Sequence, residues 1–377
     1  MKTAIILSGG GSKGSYELGV WKALRKLHIK YSIVTGTSIG ALNGALMTEK
    51  SYFKAKKIWK KLNLEYLFDK KPKSMKNIDV FNLFRDSFLQ NGGENTEKIE
   101  QILKETINIR KFYKSNIDFG LITYNFTDKT PLCLTKREIP EDKLLDYLMA
   151  SATCFPAFKM KDIDGSKFID GGFYDNIPVN LAIEMGADNL IIVDLEAPGV
   201  KRKLDKKLDK IIIKPKNKLS FFLTFDEKEA KTNFKYGYND TLKAFHKLEG
   251  NYFTFKNNHL KNYYNKNKTK LDNITYKEFL SSLESLGKIF KLDDTKIYSL
   301  AKYKRCLKQQ ISYEKKIPTS VIKEIKTLKT KASTKLITLF FLSNLEQNKN
   351  TSKLNLIFKK EKRLAQILFT LGVTYDK

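Results

Sequence analysis

Two stretches decide the fold: Thr3-Ala4-Ile5-Ile6-Leu7-Ser8-Gly9-Gly10-Gly11-Ser12-Lys13-Gly14, and Ser32-Ile33-Val34-Thr35-Gly36-Thr37-Ser38-Ile39-Gly40. Each is a short apolar run that ends in glycines, which reads as a buried strand turning sharply into a helix. Between them, Ser15–Leu27 sets Val20, Leu24 and Leu27 on one helical face, with Lys22, Arg25 and Lys26 away from it. After the second run, Ile39–Met47 continues as a helix of small residues (Ala41, Gly44, Ala45) suited to lying close on a sheet. Further apolar runs at Asp118–Thr123 and Asn189–Leu195 predict more buried strands. Strand and helix alternating at this spacing argue an α/β fold with a largely parallel sheet covered on both faces.

The glycine loop Gly9–Gly14 comes after a strand and precedes a helix. Consecutive glycines let backbone N–H groups converge on one point, and the helix N-terminus adds a positive dipole, so the loop suits an anion. A dinucleotide site would want an acid at the end of the second strand, which instead reads Val34-Thr35-Gly36. A phosphate-binding loop would want Gly-Lys-Ser/Thr, and the order here is Lys13-Gly14-Ser15. Gly36-Thr37-Ser38-Ile39-Gly40 is G-x-S-x-G at a strand-to-helix junction, the setting that projects a serine hydroxyl above a sheet.

A nucleophilic serine needs a base. The chain has three histidines, His28, His246 and His259, none in a glycine turn. Ser38, Asp170 and His246 in that order would suit a histidine-dependent triad esterase. Asp170-Gly171-Gly172, at the end of the short run Lys167-Phe168-Ile169, offers a carboxylate that could act directly if burial tunes it.

Together these motifs resemble those of the patatin-like phospholipases: the glycine loop Gly9–Gly14, the elbow Gly36–Gly40 and the acid motif Asp170–Gly172. Two further stretches are similar to that family, Ala150–Phe158 ahead of the acid and Gly172–Pro178 after it, leading to Gly186-Ala187-Asp188. The likeness spans about residues 3–200. It implies a three-layer α/β/α domain, a Ser38–Asp170 dyad without histidine, no metal and no cofactor, and hydrolysis of acyl esters in lipids. Amides near Gly10, Gly11 and Ser12 would then hold the oxyanion. Lys13 would either brace the loop or meet a phosphate head group.

Charge divides the chain. Residues 1–200 carry a net charge of +5 and residues 201–377 a net of +24, so a catalytic domain over 1–200 and a basic, mainly helical region over 201–377 are expected. Within the latter, Lys201–Lys207 reads as an exposed boundary and Ile211–Ile213 as a strand. Asp226–Leu248, Tyr276–Phe290, Val321–Leu345 and Leu354–Leu371 read as helices. Such a field draws nucleic acid or an anionic membrane. No nucleic-acid-binding signature accompanies it, although a binding protein with a merely regulatory hydrolase domain is an alternative. The last helix sets Ile357, Leu364, Ile367, Leu368 and Leu371 beside Lys359, Lys360, Lys362 and Arg363, a mixture suited to the headgroup region of a bilayer. No run approaches the ~20 apolar residues of a membrane span. Cys133, Cys154 and Cys306 are scattered and form no CxxC pair. The expectation is therefore a cytoplasmic enzyme, peripheral at the inner membrane face, with a lipid substrate and a homo-oligomer as a further option.

Overall fold

The computed structural model describes residues 1–68, 70, 72–203, 208–271, 273–327, 332–349, 351, 354 and 356–375. It divides into two compact units, Met1–Ala244 and Phe245–Lys377.

The first unit begins β1 (Thr3–Leu7), α1 (Ser15–Lys26), β2 (Ile33–Thr37) and α2 (Ile39–Thr48). An all-helical stretch comes next: α3 (Tyr52–Trp59), α4 (Leu64–Phe68), α5 (Asn77–Asn91), α6 (Glu97–Thr106) and α7 (Ile109–Lys114). The chain then runs β3 (Asp118–Asn125), β4 (Thr130–Thr135), α8 (Leu144–Ala152), β5 (Lys161–Ile163) and β6 (Ser166–Asp170). It closes with α9 (Val179–Glu184), β7 (Asn189–Val193), β8 (Lys210–Ile213) and α10 (Glu227–Ala244).

The sheet has eight strands in the order β5-β6-β3-β2-β1-β7-β8, with β4 also pairing β3. Its centre, β3-β2-β1-β7-β8, is parallel throughout, and the pairings that involve β4, β5 and β6 are antiparallel. Side chains alternate across β1. Ala4 and Ile6 join Val179 and Ala182 of α9 in one apolar cluster. On the opposite face a Cβ on Gly44 of α2 would already touch Val34, Phe119 and Leu7. Helices on both faces of a buried sheet make the three-layer α/β/α arrangement.

The first unit passes the boundary expected at residue 200, because β8 extends the sheet beside β7 and α10 packs on α1. Residues 204–207 of the expected boundary loop lie outside the described residues. The α1–α10 contact is tight: Cβ atoms added to Gly19 or Gly237 would come within 2.0 Å of Phe234 O and Tyr16 O respectively. The Tyr16 hydroxyl donates to buried Asp240 at 2.9 Å across the same contact.

The second unit is mainly helical, with a three-stranded sheet formed by Leu248–Glu249, Thr254–Lys256 and Ile297–Tyr298. The expected helix Tyr276–Phe290 is present as Tyr276–Ile289, opened by a capping box between Thr275 and Glu278. The expected helix Val321–Leu345 is two, Thr319–Lys326 and Thr334–Glu346, with residues 328–331 outside the described residues. The final helix starts at Lys359, and residues 352, 353 and 355 ahead of it are likewise undescribed. Its apolar residues Leu364, Ile367, Leu368 and Leu371 are buried in this unit's own core, and Arg363 pairs with Glu278. Four of the five apolar residues expected to face a bilayer are thus taken by the protein core, while Ile357, just ahead of the helix, stays exposed. Among the described residues no helix is long and apolar enough to cross a membrane.

Replacing Gly237 by Val should force α10 off α1 and lower the stability of the first unit by about 1–3 kcal/mol. Denaturant titration followed by near-ultraviolet circular dichroism measures it. An unchanged midpoint would mean that the two helices do not touch as described.

Candidate active site

The end of β1, the end of β2 and the end of β6 converge at one edge of the sheet's helical cover. The loop after β1 is held from several sides. The Gly9 amide donates to Asn176 O at 3.0 Å, the Ser12 amide to Phe222 O at 2.8 Å and the Lys13 amide to Gly10 O at 3.1 Å. The amides of Gly10 and Gly11 have no acceptor among the described residues, and both glycines border the same cavity as Ser38. Gly11 sits at φ 53°, and a Cβ there would lie 2.2 Å from Phe222 O, so no other residue fits. Ser12 therefore departs from the expectation drawn from the sequence, since its amide is spent on Phe222. Lys13 braces the loop: its Nζ donates to the carbonyls of Glu196 at 3.2 Å and Leu195 at 3.4 Å, and burial lowers its pKa. Gly14, at the far end of the loop, offers its carbonyl to Asn43 Nδ2 at 3.0 Å.

Ser38 stands between β2 and α2 with φ 56° and ψ −128°, a conformation rare for a residue with a side chain. Its amide donates to Ser151 Oγ of α8 at 3.0 Å, and the Thr37 hydroxyl donates to Asp175 O at 2.8 Å. Gly40 lets the first turn of α2 abut the end of β1, because a Cβ there would meet Leu7 O at 2.5 Å. A Cβ on Gly36 would strike Gly40 O at 2.3 Å.

Asp170 ends β6, opposite Thr123 of β3. Its Oδ1 accepts the Gly172 amide at 2.7 Å, and the Ser38 hydroxyl lies close enough to favour the charged carboxylate. Burial pushes its pKa up to about 6, against the pull of the Ser38 hydroxyl and the Gly172 amide. Gly171 packs against Ile122 O, where a Cβ would lie 2.2 Å away, and Gly172 borders the cavity. Cys154 also borders it, and burial together with the nearby Asp170 charge pushes its thiol up to about 12, so it stays protonated.

The cavity has a volume of about 680 Å³. Its walls are overwhelmingly apolar, among them Leu42, Leu46, Trp59, Phe84, Phe155 and Phe158, and much of them comes from α3–α6. Behind it, Asn43 Nδ2 donates to Glu17 Oε2 at 2.8 Å while Asn43 Oδ1 accepts from Trp59 Nε1 at 3.0 Å. Burial pushes Glu17 up to about 8. All three histidines are exposed and none borders the cavity. Among the described residues no group of three or more His, Cys, Asp or Glu is placed to hold a metal ion. Ser151, Asn43 and Asn176 escaped the sequence reading as site residues. Nothing in their type distinguishes them, although Ser151 and Asn176 lie inside the two stretches that flank the acid motif.

The family model described as Patatin-like phospholipase matches residues 5–183. Curated relatives include Patatin-like phospholipase domain-containing proteins 7 and 6 of Mus musculus, 29% identical over 200 residues and 28% over 205. Lysophospholipase nte1 of Aspergillus terreus is 28% identical over 196 residues. Each match takes in 51% of this chain but 12–13% of the relative, so the chain is similar to about an eighth of their length. Among solved structures, VipD from Legionella pneumophila aligns with a TM-score of 0.43 at 14% identity, over 98% of this chain and 90% of that one. The type III effector protein ExoU aligns with a TM-score of 0.35 at 10% identity, over 98% and 76%.

The raised acid has a thermodynamic signature. Asp170 titrates near 3.8 when unfolded and about 6 when folded. As pH rises through that window, the folded state must take on a buried charge and loses about 3 kcal/mol relative to a chain without it. Asp170→Asn should therefore gain stability over the parent more at pH 8 than at pH 4. Thermal midpoints of both proteins at the two pH values test this, and a pH-independent gap would mean that Asp170 is not desolvated.

Proposed function

Residues 5–183 belong to the patatin-like phospholipase family, and from that premise we propose that the chain hydrolyses acyl esters of lipids with a Ser38–Asp170 dyad. The observation that carries this reading is the buried Asp170 carboxylate beside the Ser38 hydroxyl, both at the wall of one apolar cavity. Ser38 Oγ attacks the ester carbonyl as its proton passes to Asp170, and the carbonyl oxygen becomes an oxyanion that the free Gly10 and Gly11 amides meet. Collapse of the intermediate expels the alcohol, which takes the proton from Asp170, and leaves an acyl-Ser38. Asp170 then accepts a proton from water as it attacks the acyl carbon, and the fatty acid departs with Ser38 restored. An acid with a pKa near 6 is ionised at neutral pH yet basic enough to take the serine proton in flight. The cavity suits the acyl chain, with room and apolar walls but few polar groups.

The names of the relatives make lysophospholipid the first substrate to test, with phospholipid and triglyceride beside it. Three free cysteines suit a reducing, cytoplasmic setting. A histidine-dependent triad has no supporting observation, since the histidines are exposed and away from the cavity walls.

Ser38→Ala should abolish hydrolysis and labelling by a fluorophosphonate probe in a folded protein, and Asp170→Asn should lower turnover by at least ~10³. The activity should fall as pH drops through about 6, because protonation removes the base. A chain lacking all three histidines should retain turnover. Undiminished labelling of Ser38→Ala, or a folded but inactive histidine-free chain, would overturn the dyad.

A further inference from the structure

α5 buries Val80, Phe84 and Ser87, as a helix on a core should, yet its outer face is not polar. Ile78 is 60% exposed, Phe81 49% and Leu89 73%, and with Arg85 they form one stripe at helical spacing. Phe81 and Arg85 also border the cavity. Two other exposed cavity residues, Phe173 and Val200, add apolar surface to the rim, and Met75 just before α5 is exposed as well. The patch continues inward through Phe88, whose ring lies 5.6 Å from that of Phe155, and out again to exposed Phe126, 6.3 Å from Phe155. Contiguous apolar surface of this kind marks an interaction site.

Its charges say what it meets. Exposed Lys73 and Lys76 precede α5, and exposed Lys201, Arg202 and Lys203 come directly after Val200. Two acids nearby pair off with cations, Asp86 with Arg85 at 2.8 Å and Asp194 with Lys201 at 2.8 Å; Asp79 keeps its charge while accepting from Ser74, which leaves Lys73, Lys76, Arg202 and Lys203 in excess. Apolar side chains bracketed by cations fit the headgroup layer of an anionic bilayer. A protein partner would require no opening onto an acyl-sized cavity.

We propose that α5 and the rim formed by Phe81, Phe173 and Val200 are the face that docks on an anionic lipid surface, with Ile78 and Leu89 entering the headgroup layer. The inference rests on the reading of the cavity as a site for lipid acyl chains. Docking there lets a chain pass from bilayer to cavity along apolar surface, without the penalty of exposing it to water.

The test uses the full chain carrying Ser38→Ala, so that binding is read without hydrolysis. Co-sedimentation with phosphatidylcholine vesicles, with and without phosphatidylglycerol, should show binding that favours the anionic vesicles and weakens with salt. Adding Ile78→Glu and Leu89→Glu, neither of which borders the cavity, should weaken that binding at least ~10-fold. Lys73→Glu with Lys76→Glu should remove the preference for anionic lipid. With Ser38 intact, the Ile78/Leu89 pair should leave turnover of a short soluble ester unchanged, which also reports the fold, while hydrolysis of vesicle lipid falls with binding. Leu89→Trp should give an emission that shifts to the blue on vesicles. Parent protein that binds neither vesicle, binding that survives the Glu pair, or a Leu89→Trp emission that ignores vesicles would each overturn the proposal. Normal docking by a wild type inactive on every ester would instead keep this face and overturn the hydrolase reading.

Discussion

The backbone of Ser38, held at φ 56° and ψ −128°, is the constraint that the rest of the first unit serves. A side-chain-bearing residue in such a conformation costs about 1–3 kcal/mol and persists only where its surroundings leave no alternative. Here the surroundings come from separate parts of the chain. α8 supplies Ser151 Oγ to the Ser38 amide, the segment after β6 supplies Asp175 O to Thr37, and β1 supplies the wall against which Gly40 fits. A hydroxyl lifted clear of the sheet in this way meets Asp170 only because β6 pairs antiparallel with β3 and ends level with it. The elbow is local in sequence, but what keeps it bent is not.

Electrostatics at the site work by the absence of compensation. No cation is among the causes that set the pKa of Asp170; burial raises it, and the Ser38 hydroxyl and Gly172 amide lower it. The cation of the glycine loop, Lys13, is held by the carbonyls of Leu195 and Glu196 and does not border the cavity. A lysine placed against Asp170 would have lowered its pKa. Under the proposed hydrolysis, the same apolar enclosure would strengthen the interaction of an oxyanion with the amides of Gly10 and Gly11.

The residues that could be recognised from sequence are those whose role forbids substitutes. Gly11 needs a positive φ, Gly36 and Gly40 need contact distances no Cβ allows, and glycines in that order between strand and helix are legible. The strands β1, β2 and β7 were legible as well, because a buried parallel sheet makes continuous apolar runs. Ser151, Asn43 and Asn176 were not, since a hydrogen-bonding side chain reads alike whether it faces water or locks an elbow. The amide of Ser12 looked available because a glycine loop does not announce which of its N–H groups a distant carbonyl, here Phe222 O, will take. The stretch from α3 to α6, which builds much of the cavity, carries no motif at all; its apolar residues meet only once the sheet has placed their neighbours.

Charge misled in a different way. The excess of Lys and Arg after residue 200 marked a boundary there, but β8 and α10 carry part of it into the first unit, and residues 201–244 hold 13 Lys and Arg against 6 Asp and Glu. The basic field is therefore shared between the units. Amphipathic spacing could not say which apolar face lies against protein. The final helix and α5 both alternate apolar and charged residues; the first buries Leu364, Ile367 and Leu368 and leaves Phe369 exposed, while the second leaves Ile78, Phe81 and Leu89 in the open. α5 can do so because Val80 and Phe84 on its other face already anchor it, so its outer residues are not needed by the core. Free of that duty, Phe81 stands exposed at the cavity border, and Ile78 and Leu89 stand exposed on the same helix beyond it.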